Sequence, residues 1–171
     1  MCRKYTAFAS SVIPVCLEWM TDREDEESWH TTNTLDEDES SENHVVGEQA
    51  MDRVARALGG KSVLPITFNY VPTMLGNGDR WQSRVAGLLA ISAIAEGCVK
   101  IMAVELDKIL KLILPYLRDP HPQVRWAACN AVGQLSTDFA VSLANLSNSH
   151  HLPSKKIPIS LTPSFLSYVI A

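Results

Sequence analysis

Glu96 and Asp138 are 42 residues apart, and each closes an apolar run: VAGLLAISAIAEGC over 85–98 and VRWAACNAVGQLSTDFA over 124–140. Read as helices, the runs place both carboxylates near a C-terminus, where the helix dipole opposes negative charge by about 0.3–1 kcal/mol. A bound cation offsets that cost, so the two acids are candidates for holding basic side chains. The plain alternative is a pair of solvated helix-end residues. Ser92, Asn130 and Gln134 lie one or two turns upstream of the acids and can bond a peptide backbone or, equally, one another between helices. At the other end of the runs stand Arg84 and Arg125, with Asp79 and Asp119 five and six residues ahead of them. Each arginine can reach an aspartate in its own turn or in a neighbouring one. A ladder of such pairs would tie the turns together, although exposed pairs contribute little. Trp81 and Trp126 can flank lysine stems, but packing between units is the stronger reading.

Reaction chemistry is not legible. The five histidines lie in turns or polar stretches without metal-ligand spacing. P-loop, nucleophile-elbow and dinucleotide fingerprints are all missing. The loop from Asp36 lacks the glycine and glutamate of an EF-hand. No cofactor, metal or catalytic residue is expected. Cys2, Cys16, Cys98 and Cys129 form no C-x-x-C pair, and Cys98 and Cys129 occupy apolar helix positions, so both are expected in the core. The N-terminus lacks a signal cleavage site, and no stretch is read as spanning a bilayer. Of 171 residues 46% are apolar and 20% charged, which is globular. The net charge of −4 conceals a block, DREDEESWHTTNTLDEDESSE at 22–42, with ten acids and one base. So charged a block repels itself and has little to bury, and a loop without regular structure is expected over 22–44. The charge also argues against nucleic acid as the main partner.

The elements that must position these residues are helices throughout. Residues 1–21 read as a helix left from a preceding unit. Over 45–60, Met51, Val54, Ala55 and Leu58 share a face, and Gly59 and Gly60 stop the helix. A helix over 63–75 holds Pro65 in its first turn, and Pro72 is expected to kink or end it. The segment 80–98, apolar on most sides, is a sandwiched helix that Gly97 is expected to end. A further helix over 105–117 and a last one from Pro122 to about Ala140 follow. Residues 141–171, rich in Ser and Pro, read as an irregular tail.

Aligning Gln82 with Gln123 pairs Arg84 with Arg125, Ala86 with Ala127 and Ala90 with Ala131. That is a helical hairpin recurring at about 41 residues, the spacing of HEAT and armadillo units. Units are assigned to 61–98 and 99–140. The expected fold is all-α, an α-α superhelix of HEAT-type hairpins that bury their faces by stacking.

The segments GEQAMDRVARALGGKSVLP (47–65), AGLLAISAIAEGC (86–98) and DPHPQVRWAACNAVGQLSTDFA (119–140) closely resemble consecutive HEAT repeats of the importin-beta family, in order and spacing. The resemblance covers roughly residues 5–140 and implies a fragment of a nuclear import receptor. It implies second helices on a concave inner face, with Glu96 and Asp138 at acidic cargo-binding positions and Ser92, Asn130 and Gln134 beside them. Implied partners are basic cargo proteins such as ribosomal proteins or histones, with Ran and nucleoporins in the full-length receptor, and no nucleic acid or membrane. The implied location is cytoplasm and nucleus, at the pore. A HEAT-repeat scaffold without transport activity is the alternative.

Overall fold

The computed structural model describes residues 3–24 and 42–147. Most of the acidic block (25–41) and the end of the tail (148–171) lie outside the described residues. Five α-helices follow one another: α1 Arg3–Trp19, α2 Asn43–Leu58, α3 Gly60–Leu75, α4 Trp81–Ile113 and α5 Pro122–Ser147. A 3₁₀ turn, Leu114–Arg118, joins α4 to α5, and no strand occurs among the described residues.

The helices form three stacked hairpins: α1 with α2, α3 with the first half of α4, and the second half of α4 with α5. The centre is the first half of α4. Val85, Leu88, Leu89, Ile91, Ile94 and Ala95 are all buried, pointing in several directions around the helix. Such a helix needs neighbours on several sides, and α4 packs against α2, α3 and α5. In its second half burial narrows to one stripe, Met102, Leu106, Ile109, Leu110 and Ile113. There α4 has become the first helix of the next hairpin. Trp81–Arg118 is long and apolar enough to cross a bilayer, but 67% of its most apolar window is buried inside the protein, and it serves as the core helix.

Gly97 does not end the helix as expected. A Cβ there would collide with the backbone of α2, at Ala55 and, at 2.6 Å, at the Arg56 nitrogen. Gly97 is therefore a point of close helix approach, and α4 runs through the expected unit boundary at 98/99. The stop after α2 is real: Gly59 has φ 72°, where a glycine is favoured, and Gly60 already begins α3.

Pro72 does not break α3 either. Both Pro65 and Pro72 lie on its exposed side, where water can solvate the carbonyls that a proline leaves unpaired. Helix α5 continues past Ala140 to Ser147, so the first part of the expected irregular tail is helical. Asn43 and His44 are likewise helical rather than loop. Asn43 Nδ2 donates to Asp22 Oδ2 at 2.7 Å, a contact that joins the two flanks of the acidic block.

Candidate functional site

A groove of about 460 Å³ runs across α2, α4 and α5. From α2 come Glu48, Gln49 and Asp52; from α4, Ser92 and Glu96; from α5, Asn130 and Gln134. Asp138 lies one turn beyond Gln134, whose Nε2 donates to both its oxygens at 3.0 and 3.1 Å. The structure thus gathers Glu96, Asp138, Ser92, Asn130 and Gln134 in one region. Ser92 Oγ donates to Asn130 Oδ1 at 3.1 Å, linking α4 to α5.

The two acids are not at helix ends, so the helix dipole does not oppose their charge as expected. Glu96 is in the middle of a 33-residue helix and Asp138 is well inside α5. Burial pushes the Asp138 carboxyl above the usual carboxylate range. The bond from Gln134 works against this, while the charges of Glu96 and Asp52 add to it. Three carboxylates, Asp52, Glu96 and Asp138, are therefore within electrostatic reach of one another. Arg56 answers two of them. Its guanidinium pairs with Asp52 one turn back on α2, and its Nη1 lies 3.6 Å from Glu96 Oε2. The contact of Gly97 with the α2 backbone brings Glu96 to this place. Further along, burial raises the Glu48 carboxyl and Arg23 opposes the rise. Burial lowers Arg23 in turn, against the attraction of Glu48 and Glu42.

Sequence reasoning missed Asp52, Glu48 and Arg56. It read α2 for its apolar stripe alone. A signal was present, because Asp52 precedes Glu96 by about one repeat, as Glu96 precedes Asp138.

The arginines of the turns sit at the starts of α4 and α5, three to four turns before the acids. Arg84 donates to both oxygens of Asp119, Nε to Oδ2 at 2.8 Å and Nη2 to Oδ1 at 3.0 Å. Its Nη1 reaches the carbonyls of Asn77 and Gly78 at 2.8 and 2.9 Å, so the partners in its own turn are backbone and not Asp79. Arg125 does the same one unit later, with Nη1 at 2.9 Å from the carbonyls of Asp119 and Pro120. Trp81 stacks on His121 with ring centroids 4.1 Å apart, and Tyr116 Oη donates to the Leu75 carbonyl at 2.9 Å. These contacts join consecutive turns. Cys98 is buried, its thiol pushed up to about 12 by burial. Cys129, expected in the core, is exposed, because its side of α5 faces no other described helix.

Paired helices, three of them aligned along a groove, and turns clamped to one another define a HEAT-type solenoid segment. Residues 1–65 match the family model described as importin repeat, and residues 81–135 match the HEAT-like repeat. The chain belongs to the importin-beta (karyopherin-beta) family. Importin subunit beta-3 of Saccharomyces cerevisiae is 35% identical over 90% of this chain, and a probable importin-5 homolog of Dictyostelium discoideum is 28% identical over 69% of it. The karyopherin Kap121p, solved bound to RanGTP, superposes with TM-score 0.74 at 32% identity over 88% of this chain. The chain spans 14% of the length of the yeast relative, 11% of the Dictyostelium one and 15% of the Kap121p chain. Other structures of Kap121p hold Pho4p or Nup53p. One is a variant in which an aspartate, a glutamate and an aspartate, each about one repeat from the next, are replaced by lysine.

Proposed function

We propose that this segment is part of a nuclear import receptor and that its groove binds lysine-rich signals of cargo proteins. The observation that carries the reading is the convergence of Asp52, Glu96 and Asp138, one from each of α2, α4 and α5, around a groove with Arg56 as their nearby cation. The three match, in residue type, order and approximate spacing, the acids reversed in the Kap121p variant. An extended basic peptide laid across the helices would meet one carboxylate per repeat, and Ser92, Asn130 and Gln134 would face its backbone. Each charge-assisted bond contributes on the order of 1.5–3 kcal/mol. Basic cargo such as ribosomal proteins or histones fits this chemistry, and so does a working range spanning cytoplasm and nucleus. Ran and nucleoporins, which Kap121p binds, are partners proposed for the whole receptor.

The second reading is a protein-interaction scaffold without transport activity. It is favoured by the internal satisfaction of the groove: Ser92 bonds Asn130, Gln134 bonds Asp138 and Arg56 pairs with Glu96. Titration with a lysine-rich import signal separates the two. The chain should bind it in a salt-dependent manner, and replacing Glu96 and Asp138 together with Lys should abolish binding while circular dichroism stays helical. Unchanged affinity in the folded double variant would remove the groove from cargo binding.

A further inference from the structure

Arg56 is an arginine in the place where, on the reading just given, a ligand lysine belongs. It projects from the last turn of α2, where the helix dipole favours a cation. That local reason does not account for its reach to a second helix. One guanidinium nitrogen faces Asp52 of its own helix and the other faces Glu96 of α4. The approach of α4 to the α2 backbone at Ala55 and Arg56, made possible by Gly97, fixes this geometry. Glu96 remains 61% exposed and Arg56 51%, so a competing cation can enter without unpacking any helix.

We propose that Arg56 is an intramolecular placeholder that occupies the Asp52–Glu96 part of the groove and is displaced when a basic segment binds. This inference rests on the groove being the cargo site, and it adds a control on that site. With no ligand, Arg56 neutralises part of a cluster of like charges that otherwise repel one another. With a ligand, a lysine ammonium must take over both carboxylates, and Arg56 must turn out to solvent. Each binding event therefore costs the placeholder's pairs. The device selects for ligands that offer several cations in register with the repeats, because only those also gain Asp138 and Glu48, which Arg56 does not cover. An isolated lysine gains nothing that Arg56 does not already supply.

The experiment is a fluorescence-anisotropy titration of the full chain with a labelled lysine-rich peptide, at low and at physiological salt. Variants are Arg56→Gln, Arg56→Lys, Asp52→Asn together with Glu96→Gln, and that pair combined with Arg56→Gln. Arg56→Gln should tighten binding by about two- to fivefold at low salt, the range that exposed ion pairs of this kind contribute. The gain should shrink as salt rises. Arg56→Lys, which keeps the charge, should bind like the natural chain. In the background lacking both carboxylates the gain should vanish. If the natural chain binds and Arg56→Gln binds equally or more weakly, Arg56 is a bystander or an organiser of the site, and the placeholder is refuted while the groove stands. A gain that survives loss of both carboxylates also refutes it. If neither the natural chain nor Arg56→Gln binds the peptide, both the placeholder and the cargo reading fall.

Discussion

Arg84 uses four hydrogen bonds to hold two turns together, two to Asp119 and two to the carbonyls of Asn77 and Gly78. Both side chains of the pair are more than nine-tenths buried. Losing one partner strands a buried charge, so Arg84→Ala should destabilise the chain by about 3–5 kcal/mol. Arg84→Met with Asp119→Leu should recover much of that loss, because no charge is left behind. Urea unfolding followed by helical signal measures both, and equal losses in the single and double variants would contradict the argument. Asp138 makes the opposite prediction. Its carboxyl is raised in the folded chain, so between its ordinary and its raised value the native state binds more protons than the unfolded one. Stability then falls as pH rises through that window, and the cost is fully present at neutral pH. Asp138→Asn should therefore raise the unfolding midpoint at pH 7 and flatten its dependence on acid, while weakening binding of a lysine-rich peptide. A variant that loses stability at neutral pH would show that Asp138 is held by bonds stronger than the burial and repulsion that oppose its charge. The pairing of Arg84 with an aspartate of a neighbouring turn was one of two options open in the sequence. The loss of Asp79 in favour of two carbonyls was not visible, because backbone acceptors carry no residue signature.

At the scale of the helix, α4 is where local pattern and tertiary packing part company. The apolar run over 85–95 identified a helix buried on several sides, and the stripe at Leu106, Ile109, Leu110 and Ile113 identified one buried on a single face. Their fusion into one helix was illegible, because glycine both ends helices and permits close approach, and residues 99–104 carry no proline to separate the cases. Only the position of α2 decides. The same holds at Pro72, where a usual helix breaker is tolerated on the exposed side of α3. It holds also for Cys129. The repeat aligns it with buried Leu88, but no described helix covers that side of α5. A test follows at Gly97. Alanine gains about 1 kcal/mol of helix propensity over glycine. It also inserts a methyl into the backbone of Ala55 and Arg56, which cannot yield as a flexible side chain would. Overpacking of this kind costs about 1–3 kcal/mol and sometimes more. Gly97→Ala should therefore be net destabilising in chemical denaturation, and it should weaken lysine-peptide binding by moving Glu96 away from Asp52. A more stable variant with intact binding would mean that Gly97 is an ordinary helical glycine after all.

At the scale of the whole molecule, no described helix covers the outer side of α1. Tyr5, Phe8, Val15 and Trp19 lie along one side of that helix, exposed by 54%, 52%, 45% and 42%. The adjoining side, Ala9, Ile13, Cys16 and Leu17, is buried against α2 and α3. In a repeat stack each helix layer gains its stability from its own hairpin and from the layer beside it. An apolar stripe with no layer beside it contributes nothing to folding and attracts other apolar surfaces. The 171-residue chain by itself should therefore bind a hydrophobic dye and self-associate as its concentration rises. Replacing Phe8 and Trp19 together with Ser should suppress both effects. The same change should leave the unfolding free energy within about 0.5 kcal/mol per site, as for other surface positions away from the core. Sedimentation velocity and dye fluorescence read the first outcome, and urea unfolding reads the second. A large loss of stability would place these side chains in the core of the first hairpin. Unchanged association would move the sticky surface to the other end of the stack, where Trp126 is 46% exposed on α5. The two ends differ in kind: α1 presents four large apolar side chains, whereas the exposed side of α5 carries the charged Arg125 beside Trp126 and Cys129. Association through α1 should therefore be nearly insensitive to salt, whereas association through α5 should respond to salt through the Arg125 charge.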